Sequence, residues 1–227
     1  MGNKGGSRHF KRITASNKIS IAKKTNIWLT KPMPGKHKAS ESISLNVLLR
    51  DYLNLADNSR EVKYILNKGK VLVDGKVEKE PKTAVGLMDI ISIPEIGKSY
   101  VLTIKKGKLT LEETKNEEKL CKIVKKQTEK KGKMKIVAHD GRNFIVEEKD
   151  YKIGDTIKIK VPEQKIISHF PLKAGAKCLV VKGKHAGDVA NLVEILPSTS
   201  RRASGARLKS NGHEFITLKD YLFVLGE

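Results

Sequence analysis

The stretch "KYILNKGKVLVDGKVEKEPKTAVGLMDIISI", residues 63–93, decides the fold of the first part of the chain. It begins inside a helical pattern, and Gly69 stands where a helix commonly ends on a residue with left-handed backbone angles. Asp74 and Gly75 separate two runs of alternating residues, which favours a hairpin with a type I′ turn. The run "MDIISI" supplies a further strand. The stretch therefore predicts a helix, a hairpin and a strand in one small module.

Two helices are predicted at the start of this module. The first has apolar residues at helical spacing, namely Leu45, Leu48, Leu49, Tyr52 and Leu53. Asn58 or Ser59 can cap the second helix, whose apolar face contains Val62, Ile65 and Leu66. Residues 43–94 are therefore expected to form a compact α+β unit.

The charge of the chain indicates a polyanionic partner. There are 46 lysines and arginines against 25 acids, so the net charge is +21 and the isoelectric point is about 9.9. Such a surplus repels itself in the compact state. It is spread along the chain and is densest in residues 1–42, which carry ten basic residues and one acid. A protein with one confined basic active site would not distribute its charge in this way.

Several other classes of protein are not indicated. No apolar run reaches the length of about 18 residues that a membrane span needs, and the basic N-terminus has no apolar core of a secretory signal. Cys121 and Cys178 lack Cys-x-x-Cys spacing, so reduced thiols are expected. The six histidines are scattered singly, without metal-ligand spacing. We therefore expect no membrane partner, no metal, no cofactor and no small-molecule substrate.

The N-terminal segment, residues 1–42, contains glycines, prolines and lysines and shows little periodicity. A disordered tail is one interpretation. The apolar residues Phe10, Ile27 and Trp28 favour another, in which an extended basic arm becomes ordered on its partner.

The remainder of the chain is predicted to be β. Residues 95–169 alternate between apolar and polar positions and are punctuated by glycine turns, which is typical of a small barrel or sandwich. Residues 172–227 repeat this style around a polar loop, "PSTSRRASGARLKSNGHE". The low apolar content of 38% favours several small domains over one large core. The fold class is therefore mixed and mainly β.

Basic residues gather on one edge of the first module. The polar stripe of the second helix and the hairpin beyond it contain Arg60, Lys63, Tyr64, Asn67, Lys68, Lys70 and Lys76. Lysine and arginine on rigid elements suit the phosphate spacing of a folded RNA. A solvated face balanced by Asp74, Glu78 and Glu80 is the alternative.

A second basic site is predicted in "VVKGKHAGDV". Gly183 and Gly187 permit tight turns and close backbone approach. The basic residues of this loop are Lys182, Lys184 and His185, although a plain hairpin would look similar. The following loop contains Arg201, Arg202 and Arg207, and arginine suits bidentate contact with phosphate.

Enzymatic signatures are missing from the sequence. Neither "GKHKAS" nor "KGKHAGD" has the Gly-x4-Gly-Lys-Ser/Thr spacing of a nucleotide-binding loop. His139 stands beside Asp140, which could orient a base, but Asp140 and Gly141 favour a hairpin turn. No catalytic residue is predicted.

These elements together resemble a known family. The capped helix, "KVLVDGKV" and "LMDIISI" resemble the S4-type RNA-binding domain, which occurs in ribosomal and RNA-modifying proteins. "GAKCLVVKGKHAGDVANLVEI" resembles a KOW motif, the glycine-containing element of a small SH3-like barrel. With "GGSRHFKRITASNKI", "PGKHK" and "NGHEFITLKDYLFVLG", nearly the whole chain resembles the S4e family of small-subunit ribosomal proteins of archaea and eukaryotes. The chain ends soon after "VLGE", which favours the archaeal form.

The resemblance implies four domains and no catalysis. They are a basic N-terminal arm (1–42), an S4-like RNA-binding domain (43–106), a central β barrel or sandwich (107–171) and a C-terminal SH3-like KOW barrel with a final hairpin (172–227). The implied function is that of a structural protein of the cytoplasmic small ribosomal subunit, which binds ribosomal RNA, contacts neighbouring small-subunit proteins and supports assembly and translation. A pseudouridine synthase with an S4-like domain and a KOW-bearing transcription elongation factor are the alternatives.

The residues expected to contact RNA come from three parts of the chain. They are Lys4, Arg8, Lys11, Arg12, Lys36, His37 and Lys38 in the arm, Arg50, Arg60, Lys63, Asn67, Lys68, Lys70 and Lys76 in the S4-like domain, and Lys182, Lys184, His185, Arg201, Arg202 and Arg207 in the last domain.

Overall fold

The computed structural model of the chain describes residues 10–129, 133–146, 150–200, 203–210 and 212–226. The chain forms two compact units, one of Met1–Leu102 with Leu111–Lys115 and the other of Thr103–Thr110 with Asn116–Glu227. The domain boundaries that the sequence suggests after residues 42, 106 and 171 stay predictions.

The helices are few and short. They are a 3-10 helix Arg12–Thr14, α1 (Leu45–Val47), a π-helix Leu48–Tyr52, α2 (Ser59–Asn67) and a second 3-10 helix Lys219–Tyr221. The predicted first helix is therefore one α-helical turn that widens into a π-helix, in which the Leu53 N–H donates to the Leu48 carbonyl at 3.0 Å. Leu48 and Leu49 are fully buried, so the apolar pattern correctly predicts the inward face but not the wider turn.

The strands that precede and form the first large sheet are β1 (Ile43–Ser44), β2 (Leu72–Val73), β3 (Lys76–Val77), β4 (Ala84–Val85), β5 (Ile90–Ile93), β6 (Lys98–Lys105) and β7 (Lys108–Thr114). β1 pairs with β4, and the other five lie in the order β3-β2-β5-β6-β7. The predicted hairpin joins β2 to β3, with positive φ at Asp74 (50°) and Gly75 (71°), as a type I′ turn requires. The Asp74 carboxylate also accepts from the Ile90 N–H at 3.1 Å, which ties the turn to β5.

Helix α2 begins and ends as predicted. The Asn58 side chain accepts from the backbone N–H groups of Arg60 (2.9 Å) and Glu61 (3.1 Å) and so caps the first turn. Val62 and Leu66 are fully buried, whereas the opposite stripe is exposed. Gly69 follows the helix with φ 71°.

Residues 10–42 are largely irregular and lie along the first unit. Arg12 is buried there, and its guanidinium donates to Asp51 at 2.7 Å and to the Ala22 carbonyl at 2.6 Å. Farther along, Asn46 donates to the Thr30 hydroxyl at 2.6 Å. An arm that becomes ordered only on RNA would not be expected to bury these groups, so the packing argues against that part of the prediction.

The central sheet belongs to the second unit. Its strands are β8 (Glu118–Thr128), β9 (Met134–Ala138), β10 (Asn143–Val146), β11 (Thr156–Lys160) and β12 (Lys165–Phe170), in the order β10-β9-β8-β11-β12. Their inward side chains form a core around Cys121, Ile123, Ile136, Phe144, Ile157 and Ile159. The predicted turn at Asp140 and Gly141 joins β9 to β10.

The last sheet carries the predicted KOW motif. Its strands are β13 (Lys177–Val180), β14 (Val189–Leu196), β15 (Gly205–Ser210), β16 (His213–Leu218) and β17 (Leu222–Gly226), in the order β16-β15-β14-β13-β17. Cys178, Val180, Leu208, Leu222 and Val224 lie in its core. Arg207, which the sequence places in a loop, lies on β15 opposite Glu194 and contacts it at 3.4 Å. The loop therefore ends sooner than predicted. Ala206 and Leu208 alternate with polar residues and are both buried, so this segment pairs with β14 as a strand.

We predict that residues 10–42 resist proteolysis in the protein without RNA. Arg12→Met should make the segment cleavable, because it removes the contacts of the guanidinium with Asp51 and Ala22. Limited chymotrypsin digestion followed by mass spectrometry measures this. Lys24→Met, at an exposed position of the same segment, is the control and should leave the digestion pattern unchanged. Rapid cleavage of the wild-type segment that stops only when RNA is added would contradict the packing and support the coupled arm.

Candidate nucleic-acid interface

The first basic surface is the exposed stripe of helix α2. Arg60, Lys63, Asn67 and Lys68 are all exposed, and Tyr64 between them is 61% exposed. The Lys68 ammonium lies 4.3 Å from the centre of the Tyr64 ring. Interaction with Lys68 lowers the pKa of the Tyr64 hydroxyl. The helix thus presents cations and one aromatic ring on a rigid, capped element.

Other residues predicted for this surface already have partners. Lys70 contacts Glu95 at 2.7 Å, and Arg50 contacts Asp51 at 2.8 Å. Lys76 is exposed at the start of β3. Binding an anion with Lys70 or Arg50 would compete with these ion pairs, so Arg60, Lys63 and Lys68 are the stronger candidates.

A second basic surface is assembled by the tertiary structure of the second unit. The tip of the β6–β7 hairpin touches the loop between β13 and β14, where the Gly107 N–H donates to the Ala186 carbonyl at 2.7 Å. Gly187 has φ 96°, and a Cβ added to it would lie 2.5 Å from the Lys106 nitrogen. Only glycine permits this approach. The sequence predicts a close backbone approach in this loop, but it does not indicate which segment makes the approach.

The contact between the two loops brings basic residues together from distant parts of the sequence. We call this group the lysine cluster, and its members are Lys105, Lys106, Lys108, Lys182 and Lys184. All except the half-buried Lys182 are exposed. The sequence-based prediction did not include Lys105, Lys106 and Lys108 of the hairpin, although "KKGK" at a turn between two strands indicates a cluster of lysines. What the sequence could not show is that this turn packs on the loop between β13 and β14, which we call the KOW loop.

His185 is held by its neighbours within the same loop. Its ring stacks on Phe215, with centroids 4.1 Å apart and planes at 20°, and its Nδ1 lies 3.4 Å from an Asp188 carboxylate oxygen. The ring therefore orients the loop that carries Lys184, and one of its faces is already covered.

The predicted contacts in the arm divide into exposed and enclosed residues. Lys11 and Lys38 are exposed and Lys36 is half-buried. Arg12 is enclosed, and the His37 side chain is only 6% exposed and lies 2.8 Å from the Asp89 carboxylate. We therefore leave Arg12 and His37 out of the proposed surface, because an enclosed basic side chain that is bound to an aspartate cannot also reach a phosphate. Lys4, Arg8, Arg201 and Arg202 lie outside the described residues.

A buried ion-pair network lies in the central sheet. The Lys119 and Asp140 side chains are fully enclosed and 2.9 Å apart, and Arg142 contacts the same carboxylate at 3.1 Å. Burial by itself raises the pKa of Asp140, but the two cations outweigh it and the net pKa is lowered. Cys121, His139 and Asp140 could together approach a metal ion. A metal cation there would lie beside Lys119 and Arg142, so the geometry is that of a structural network.

The other histidine–aspartate pair fastens a loop. Asp155 accepts from His169 at 2.8 Å and from the backbone N–H groups of Leu172 and Lys152, both at 2.9 Å. Such a carboxylate has its oxygens occupied and is not placed as a base for an incoming substrate. Neither Cys121 nor Cys178 is in a disulfide, and both are buried. Burial raises the pKa of Cys178 to about 11, so this thiol is a poor nucleophile.

Lys122 links the central sheet to the last one. Its ammonium donates to the Asp220 carbonyl at 2.7 Å. Burial lowers the pKa of Lys122 to about 8, and the charge of Lys182 adds to the effect. Lys182 of the lysine cluster therefore lies near enough to Lys122 for its charge to disfavour the protonated form of Lys122.

Comparison with known proteins identifies the fold. The protein-family model described as "Ribosomal family S4e" matches residues 96–166, and the family model of the RS4NT domain matches residues 4–40. The crystal structure of the 30S ribosomal protein S4e from Thermoplasma acidophilum superposes with a TM-score of 0.70 and 32% identity over 82% of this chain and 95% of that one. The fold is thus that of a ribosomal protein, mainly β, with the arm, the S4-like domain, the central β domain and the SH3-like KOW domain.

Full-length relatives define the family more closely. The small ribosomal subunit proteins eS4 of Methanocaldococcus jannaschii and Methanosphaera stadtmanae are each 42% identical to this chain. Each match covers the whole of this chain and 97% or 95% of the relative. The chain belongs to the S4e family of ribosomal proteins. In the part of the chain that the structure describes, no helix is long and apolar enough to cross a membrane.

We predict that Lys122 makes the free energy of unfolding of the protein depend on pH in the alkaline range. Its folded pKa of about 8 lies below the ordinary 10.5, so the unfolded chain binds more protons between these values. The contribution of Lys122 to the free energy of unfolding should therefore rise by roughly 2–3 kcal/mol from pH 8 to 10.5. Urea unfolding of the wild type and of Lys122→Met across this range measures the difference. Lys125→Met, an exposed control on the same strand, should show no such change, and equal pH profiles of both variants would refute the assignment.

Proposed function

We propose that this chain is a structural component of the small ribosomal subunit that binds ribosomal RNA through phosphate and shape contacts. The observation that carries the proposal is the lysine cluster, which two loops from distant parts of the sequence build on rigid strands. The names of the relatives support the assignment to the small ribosomal subunit, and the net charge of +21 supports a polyanionic partner. The protein then resides in the cytoplasmic ribosome, beside other small-subunit proteins, where it supports assembly and translation.

The mechanism is electrostatic binding without catalysis. Each lysine that neutralises a phosphate releases a condensed counterion, so affinity falls as salt rises. Because the hairpin tip is bonded to the KOW loop, the spacing of the cluster is set before RNA arrives, and less side-chain and loop entropy is lost on binding. The stripe of α2 offers a second set of cations on the first unit. Rigid cations of this kind suit RNA that is recognised by its shape.

The alternatives fit the structure less well. A pseudouridine synthase needs a larger α/β catalytic domain with a catalytic aspartate. The described residues beyond 115 form two antiparallel sheets and not an α/β domain. Asp140 and Asp155 are engaged there in ion pairs and in hydrogen bonds with backbone N–H groups. The S4e family is structural and not enzymatic. A transcription elongation factor would share the last sheet but not the arm and first domain that match the family.

We predict that Lys106→Gln, Lys108→Gln and Lys184→Gln together weaken binding to a small-subunit rRNA transcript about tenfold near 0.1 M salt. The slope of log affinity against log salt should shrink by roughly 2, because each lost phosphate contact removes about 0.7–0.9. Filter binding across a salt series measures both quantities.

A matched control removes the same charge elsewhere. Lys98, Lys160 and Lys165 each lie within 4.0 Å of a glutamate, so their change to glutamine should alter the slope much less. If both triple variants lose affinity equally, net charge alone explains binding and the lysine cluster is not a site.

Sucrose-gradient fractionation tests the subunit assignment. We expect the protein to sediment with the small ribosomal subunit at moderate salt, because many phosphate contacts hold it there. Its recovery only as free protein, or only with the large subunit, would overturn the proposed function.

A further inference from the structure

The outer face of the last sheet is partly covered within the chain. Leu179 of β13 and Phe223 of β17 alternate with core residues and therefore point away from the core of this sheet. Both are nevertheless buried, and the His139 ring of the central sheet lies edge-on against Phe223, with centroids 5.5 Å apart. At β13 and β17 this face is thus already a surface for packing against protein.

The same face continues across β14, β15 and β16 with apolar side chains that are exposed. On β16, Phe215 packs against the core, so Ile216 and Leu218 project outward; they are 62% and 38% exposed. Val193 lies at the register shift of β14 and is 40% exposed. We call this group the outer patch, and its members are Val193, Leu196, Ile216 and Leu218.

Strand β16 also presents its backbone to the outside. It is the outermost strand of its sheet, and among the strands of the described residues none pairs with its far side. The Lys219 N–H donates to the Ser204 carbonyl at 2.9 Å. Because hydrogen-bonded and non-hydrogen-bonded pairs alternate, Leu218 and Ile216 occupy non-hydrogen-bonded positions opposite β15. Their backbone N–H and C=O groups therefore point away from β15, toward the open edge.

This edge lacks the residues that commonly protect an edge strand. Lysine and proline on an edge oppose pairing with another chain. The sequence of β16, "HEFITL", contains neither of them, in a chain with 46 lysines and arginines. Strand β16 can therefore accept a further strand.

The charges beside the outer patch are balanced. Glu194 contacts Arg207 at 3.4 Å, and Glu214 lies opposite Lys209. Two acids and two basic residues give no net attraction for a polyanion, in contrast to the lysine cluster. Apolar side chains, balanced charge and an open backbone edge together suit a polypeptide and not RNA.

We propose that β16 pairs with an extended segment of a neighbouring small-subunit protein. The segment adds a strand to the last sheet and lays apolar side chains from alternate positions on the outer patch. This interaction rests on the proposed place of the chain in the small subunit and names the surface that a protein neighbour uses there. A second copy of this chain is disfavoured as the occupant, because two molecules of net charge +21 repel each other.

Photo-crosslinking from the edge strand identifies the occupant. The full-length variant Ile216→benzoylphenylalanine is assembled into small subunits and irradiated, and the products are analysed by mass spectrometry. We expect a crosslink to an apolar segment of another small-subunit protein. The control Lys184→benzoylphenylalanine, in the lysine cluster, should crosslink to rRNA. A crosslink from position 216 to rRNA, to a second copy of this chain or to no molecule would overturn the proposal.

A charge placed on the edge tests the pairing itself. Ile216→Lys should oppose strand addition, so a wash with about 1 M potassium chloride should release roughly threefold more of this variant than of the wild type from small subunits. Salt screens phosphate contacts but does not weaken apolar ones, which makes the difference visible. Ile96→Lys adds the same charge at an exposed apolar residue between β5 and β6 and should be retained like the wild type.

The outcomes separate this interaction from the proposed function. Equal release of the wild type, Ile216→Lys and Ile96→Lys would overturn the docking site and leave RNA binding intact. A wild type that sediments with the small subunit but gives no protein crosslink from position 216 would do the same. Failure of the wild type to associate with the small subunit would overturn both. The crosslink decides the matter even if Ile216→Lys fails to fold.

Discussion

The ion pairs around buried aspartates are the constraint on which the rest of this structure depends. A chain with 46 basic residues and 25 acids cannot pair every cation, and its fold places several of its aspartates inside. The buried Asp140 holds Lys119 and Arg142, and the half-buried Asp51 holds Arg12 and Arg50. Each enclosed carboxylate is compensated by a cation or by backbone N–H groups, as burial of charge demands. The net charge of +21 that remains is the reason to expect an external polyanion.

The proposed RNA-binding surface arises from the contact between two loops. The KOW loop by itself contains two lysines and a histidine that is stacked on Phe215. Its contact with the β6–β7 tip adds three more lysines, and that contact depends on the missing side chain of Gly187. A residue with no charge and no side chain thus determines the density of positive charge. The pKa of the nearby Lys122 is lowered mainly by burial, and the charge of Lys182 in the same cluster adds to the effect.

Local elements could be predicted from the sequence where short-range physics controls them. The cap at Asn58, the left-handed Gly69 and the type I′ turn at Asp74 and Gly75 all appear as expected, since each depends on neighbours within a few residues. The π-helix at Leu48–Tyr52 was not predicted, because the apolar spacing of an α-helix and of a short wider turn are nearly the same. His37 and Arg12 were expected at the surface. Their burial depends on Asp89 and Asp51, whose proximity no local pattern reports.

By itself, the sequence determined that the protein is basic along its length and mainly β, with one small α+β module, and its motif order pointed to the ribosomal family. Charge, alternation and turn chemistry are properties of residue types and their spacing, so they can be read without coordinates. Only the tertiary structure decided which cations are enclosed and which are exposed. It also joined Lys106 to the loop of Lys184 and set Trp28 opposite Lys11. These outcomes depend on contacts between residues far apart in the chain, and the free energy of such contacts comes from packing that no single segment contains.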